Sequence, residues 1–205
     1  MKLLNYDNSF MVFMRNLVDY VTVGILWMIF SIPMFTGGAA LTASLLTVEI
    51  CIHKEDGKIL STYWKWFRKE FKEATLLWMI QLPLLAFVIM NFWIVYGCNI
   101  AIFQKLLIYV IDGMLFCWMQ LWFGYLSKFE DRIKTILGNT FSIARNNIGW
   151  TLLIGILPVL HFAAASVLFF LMPPLLLLVP GSYLLSYRYL IRKMFSQYLP
   201  TDEPK

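Results

Sequence analysis

Charge is scarce in this chain, and the scarcity excludes more than any motif does. Asp, Glu, Lys and Arg make up 14% of the 205 residues and hydrophobic residues 60%. That is too little charge to cover a water-soluble globule. Cysteine is scarcer still, at three residues. Cys51, Cys98 and Cys117 form no CxxC pair, which removes a zinc ribbon and a dithiol redox motif. Phosphate loops of the GxxxxGK type, the GxGxxG fingerprint, HExxH and GxSxG are all missing. Without them there is no signature of ATP hydrolysis or metal catalysis. No catalytic residue, metal ligand or cofactor is expected, and the chain is not expected to be an enzyme.

What is present is a series of long apolar runs. Stretches near 20 residues with few charges predict membrane-spanning helices at about 17–36, 37–52, 74–97, 102–126, 148–172 and 174–191. The first is read as a retained span because it starts late and lacks a small-x-small cleavage site. The last two are separated by Pro173-Pro174, which cannot continue a helix interior. The expected fold is therefore all-α, a single polytopic membrane domain over 1–205 with six spans in three hairpins. On this threading Cys51, Cys98 and Cys117 fall near the inner face, near the outer face and within the bilayer. No two are placed to form a disulfide, and they read as packing residues.

The basic residues divide unevenly around these spans. Lys2 and Arg15 precede the first, and Lys54, Lys58, Lys65, Arg68, Lys69 and Lys72 lie between the second and third. Lys128, Arg132, Lys134 and Arg145 lie between the fourth and fifth, and Arg188, Arg192, Lys193 and Lys205 close the chain. Lys105 alone falls on the other side. The positive-inside tendency then predicts both termini in the cytoplasm. The same tendency accounts for the net charge of +5, so nucleic acid is not an expected partner.

Two of the cytoplasmic connections are patterned as amphipathic helices. In the first, Leu60, Trp64, Phe67 and Phe71 recur at three- and four-residue spacing, with Lys65, Arg68, Lys69 and Lys72 on the other side. In the second, Phe129, Ile133, Ile136, Leu137, Thr140, Phe141 and Ala144 stand against Lys128, Asp131, Arg132 and Arg145. Such helices lie along an anionic inner leaflet, or they offer the same residues to a protein on the cytoplasmic side. Trp64, Lys65, Phe67, Arg68, Lys69, Lys72, Arg132 and Arg145 are the candidates for either role.

Polar residues inside the spans are the other place to look for function, because an ionisable group in hydrocarbon is costly. Asp112 and His161 are both placed roughly 15 to 17 Å from the outer ends of their spans, so they are candidates to pair. A carboxylate beside a histidine raises the histidine pKa and would suit a proton-responsive site. The structural alternative is a satisfied pair joining two helices, or two unrelated contacts. Gln81 and Asn91 on the third span read as interhelical hydrogen-bond formers. Asp19 and Glu49 lie near the cytoplasmic ends of the first hairpin. Gly37-Gly38 and Pro180-Gly181 are candidate helix breaks, or small-residue sites of close helix approach.

A weak internal repeat is visible as well, with Arg68-Lys69 leading through Thr75 to Pro83 and Arg145-Asn146 through Thr151 to Pro158. Chance similarity among Leu-rich helices explains it equally well.

Several short motifs in a fixed order complete the pattern. They are Arg15-Asn16 before Ser31-Ile32-Pro33 and Thr36 to Ala40, the aromatic-basic stretch Tyr63 to Phe71, Phe141 to Asn146, and Tyr183 to Tyr187 with Phe195 and Tyr198. Together they resemble the YesL-type membrane proteins of Gram-positive bacteria over nearly the whole chain. The resemblance implies a multi-pass protein of the bacterial cell membrane with unassigned biochemistry, often encoded beside carbohydrate ABC importers. It carries over no catalytic residue.

The leading expectation is an accessory subunit or regulator of a carbohydrate ABC import system that contacts its permease subunits. The alternative is a small stand-alone transporter or channel with a polar site at Asp112 and His161. Homo-oligomerisation would help either, since six short helices enclose little volume.

Overall fold

A computed structural model of the chain describes residues 9–53 and 58–198. Lys2, Lys54 and Lys205 of the charge partition lie outside the described residues. The helices are α1 (Ser9–Phe30), α2 (Gly37–His53), α3 (Ile59–Gly97), α4 (Ile102–Met119), α5 (Leu121–Leu126), α6 (Ile133–Asn146), α7 (Ile148–Leu171) and α8 (Leu178–Phe195). Short 3-10 turns occupy Met34–Thr36 and Pro173–Leu177, and no strand occurs among the described residues. Six stretches are long and apolar enough to cross a membrane: Phe10–Phe30, Met34–Cys51, Ile59–Gly97, Ile102–Leu126, Ile148–Leu171 and Pro173–Phe195. Length and composition thus support an all-α, multi-pass membrane protein.

The boundaries differ from the sequence expectation where local chemistry intervenes. The first helix starts at Ser9 and stops at Phe30, because the residue before Pro33 is pushed out of the helical region. The Thr36 hydroxyl donates back to the carbonyls of Phe30 at 2.6 Å and Pro33 at 2.7 Å, and so satisfies acceptors that the helix end leaves open. In the last span, Pro173–Leu177 is a 3-10 turn and α8 begins at Leu178. Pro180 and Gly181 therefore lie in the first turn of α8 and not in a break within it. A helix's first turn tolerates proline because its N–H groups have no partner there.

The third span departs most from expectation. An amphipathic connector at 59–71 and a separate span at 74–97 were predicted, but both belong to one helix of 39 residues. Nothing between Phe71 and Ala74 breaks a helix: Lys72, Glu73 and Ala74 are all good helix formers. The buried stripe also differs. Tyr63, Phe67, Glu70, Ala74, Leu77 and Gln81 face the interior, whereas Leu60 is 67% exposed and Trp64 44%. Of the predicted apolar face only Phe67 turns inward.

That stripe packs on α2, whose most extensive contacts are with α3. Small residues make this possible: Ala39, Ala40, Ala43, Ser44 and Thr47 are fully buried. The hydroxyls of Thr42, Ser44 and Thr47 return to carbonyls four residues back at 3.0, 2.8 and 2.7 Å, which leaves α2 with an almost wholly apolar exterior. At its start a Cβ on Gly38 would lie 2.7 Å from the Ala74 carbonyl oxygen. Gly38 thus serves close approach and breaks nothing. In the same way Gly24 and Gly181 let α1 and α8 cross: a Cβ on Gly24 would meet the Gly181 nitrogen at 2.8 Å.

Candidate functional site

A cavity of about 620 Å³ opens where seven helices converge, α2 contributing Gly37 and Leu41. Its walls are aromatic, with Trp27 from α1, Trp78 from α3, Phe116 from α4, Phe123 from α5, Phe162 from α7 and Tyr183 from α8. Trp78 is fixed by its indole N–H, which donates to the Met34 carbonyl at 2.5 Å. This bond seats the α1–α2 turn against α3 at Trp78, and α3 continues about 28 Å beyond it to Gly97.

The polar groups on the wall are few and uncharged. Gln81 is buried, and its Oε1 has no hydrogen-bond partner. The Ser31 hydroxyl is likewise buried without one. His161 Nδ1 lies 2.9 Å from the Leu157 carbonyl. Because a carbonyl only accepts, Nδ1 carries the proton in the neutral ring and Nε2 is left as an acceptor. The His161 ring meets Tyr183 edge-on, with centroids 5.4 Å apart, and it also borders a second cavity of about 350 Å³ between α7 and α8.

The four predicted intramembrane polar residues therefore fall into two places. Asn91 Nδ2 donates to Asp112 Oδ1 at 3.2 Å, joining α3 to α4, while His161 and Gln81 line the cavity. No hydrogen bond or ion pair joins Asp112 to His161 among the described residues. Equal depth did not bring them together, because the side of each helix they occupy was not readable from depth alone.

The predicted surface residues divide as well. Trp64, Lys65, Arg68 and Lys72 are exposed, with the Arg68 guanidinium 5.0 Å from the Trp64 ring centre. Lys69 is taken by an ion pair with Glu130 and stands 4.6 Å over the Trp66 ring. Phe67 is buried against Phe30, with centroids 5.0 Å apart, so it cannot belong to that surface. Arg132 precedes α6 and Arg145 lies in its last turn, and both are exposed.

Two polar networks had no counterpart in the sequence reading. Glu49 on α2 receives Arg188 Nε at 2.6 Å and Lys128 Nζ at 3.3 Å, and Arg188 Nη1 also reaches the Tyr20 hydroxyl at 3.4 Å. A lone acid at the end of an apolar helix was the available signal. The second network crosses the α4–α5 junction at Gln120, where the Tyr187 hydroxyl donates to the Gln120 carbonyl and accepts from the Gly124 N–H at 3.1 Å. Gly124 supplied the only hint. Among the described residues no group of three or more His, Cys, Asp or Glu is placed to hold a metal ion.

Residues 20–92 match a family described as a protein of unknown function, DUF624. The matched stretch runs from the middle of α1 through α2 to Phe92 on α3, and it contains Trp27, Trp78 and Gln81 of the cavity wall. The description is compatible with the YesL-type resemblance and assigns no activity. No curated protein and no solved structure matches the chain.

Proposed function

We propose that the chain is an accessory integral-membrane subunit that docks to a permease of a carbohydrate ABC import system through the first turns of α3. The continuity of α3 carries this reading. A helix that only anchors a bundle to headgroups lies in the interface plane, so it must turn away from the span it adjoins. Residues 59–73 do not turn: they extend the apolar stretch 74–97 as the same helix. The first turns lie about 22 Å along the helix axis from Ala74. Their basic residues support a cytoplasmic location by the positive-inside tendency.

Leu60, Trp64 and Phe71 remain exposed on this segment, beside Lys65, Arg68 and Lys72. Aromatic residues with arginine are the composition of protein-binding hot spots. The nature of the partner rests on the YesL-type resemblance. Purification of the tagged protein in mild detergent should recover permease subunits, and Trp64→Ala with Arg68→Glu should lose them. Recovery of the protein alone, with permeases expressed, would overturn the proposal.

A further inference from the structure

The central cavity has a chemistry that the docking reading leaves unused. Its volume of about 620 Å³ lies within the range of ligand sites. None of the residues lining it is Asp, Glu, Lys or Arg. A phosphate, carboxylate or ammonium placed there would be buried without a counter-charge, which is strongly unfavourable. A sugar fits no better. Each of its many hydroxyls needs a partner, and an aromatic wall with a handful of neutral polar groups would leave most of them unpaired.

Not all of those neutral groups have protein partners. The Gln81 side chain makes no hydrogen bond among the described residues and its Oε1 is buried, and the hydroxyl of the buried Tyr183 makes none either. His161 has its Nδ1 occupied by Leu157, which leaves Nε2 to accept. A buried carboxamide oxygen without a partner costs free energy unless something else bonds to it. The wall therefore asks for an apolar body that carries one or two hydroxyls and no charge.

We infer that this cavity binds a neutral, hydroxyl-headed lipid of the monoacylglycerol class. The acyl chain lies along Trp27, Phe116 and Phe162, and the headgroup hydroxyls bond to Gln81, Tyr183 and His161 Nε2. This inference does not depend on a permease partner and can stand or fall separately.

Native mass spectrometry of the detergent-purified full chain tests it, with monooleoylglycerol as probe and oleate and oleylamine as charged equivalents. Monooleoylglycerol is expected to saturate at one molecule per chain and to bind at least tenfold more tightly than either charged probe. Gln81→Leu should weaken binding five- to tenfold. Ala165→Trp, which fills the cavity, should abolish it, and Val167→Trp on the exposed side of α7 should leave it unchanged. Ala165→Leu, a smaller intrusion, gives a partial loss and keeps the test open if the tryptophan variant fails to fold. Equal affinity for the charged probes would overturn the inference. So would unchanged binding in the filled variants.

Discussion

The hydroxyl of Tyr187 on α8 accepts a hydrogen bond from the backbone N–H of Gly124 at 3.1 Å and donates to the carbonyl of Gln120. One side chain thereby serves both sides of the junction between α4 and α5, inside a segment whose six residues, Leu121–Leu126, are all buried. Backbone groups buried at such a junction need partners. Tyr187→Phe removes this one while keeping the ring, and should destabilise the protein by about 1–3 kcal/mol. A lowered midpoint in a thermal melt followed by circular dichroism would register the loss. An unchanged midpoint would mean that the junction is satisfied without the hydroxyl.

A second buried polar contact makes a ranked prediction. Glu49 faces two cations, and the side chains of Arg188 and Lys128 are only 10% and 12% exposed. Glu49→Gln leaves both positive charges without their carboxylate, which should cost about 3 kcal/mol. The Glu49 side chain is 30% exposed, and solvent there holds the cost to the low end of the buried-pair range. Lys128→Met should cost less, because Glu49 keeps Arg188 at 2.6 Å. The double variant should fall short of the sum of the singles, since losing Lys128 removes one of the stranded charges. Thermal midpoints of the three variants in one detergent would reveal the order. Equal losses for the two single changes would contradict it.

Glycine positions separate contact from mere occurrence. A Cβ on Gly181 would lie 2.9 Å from the Tyr20 carbonyl oxygen, a backbone atom that cannot swing aside, while a Cβ on Gly113 meets nothing within 4 Å. Gly181→Ala should therefore force α1 and α8 apart and cost about 1–3 kcal/mol. Gly113→Ala sits in the interior of α4 and should stabilise by up to about 1 kcal/mol through helix propensity. Comparing their melting midpoints checks both. A neutral Gly181→Ala would mean that the crossing is looser than its distances.

These sites mark where the sequence could be read and where it could not. Hydropathy located the apolar stretches because burial in lipid demands length and composition, and both are local properties. The small residues of α2 announced close packing for the same reason: Ala and Gly are what let helices approach. The continuity of α3 was hidden because a change of polarity at Ala74 looks like an end, although helix formation depends on the backbone and not on polarity. Azimuth was hidden too. Tyr63 and Trp64 are adjacent in sequence and both aromatic, yet one is buried and the other exposed, a choice made by the position of α2. The cavity draws its lining from seven helices, so no single segment carried its pattern.

The separation of Asp112 from His161 has its own consequence. Asp112 is held by Asn91 at 3.2 Å, with its Oδ2 unpartnered, and His161 contacts Leu157 and Tyr183. Sites that share no partner combine additively, typically within about 0.5 kcal/mol. In a double-mutant cycle, Asp112→Asn and His161→Ala should show no coupling beyond that. Asp112→Asn with Asn91→Leu should couple by roughly 0.6 kcal/mol, the usual size of an interhelical hydrogen bond in a membrane bundle. Chemical or thermal unfolding of the four variants in a single detergent measures both cycles. Coupling of Asp112 to His161 larger than its coupling to Asn91 would mean that the two ionisable residues share a site after all, and would reopen the proton-responsive pair that their equal depth suggests.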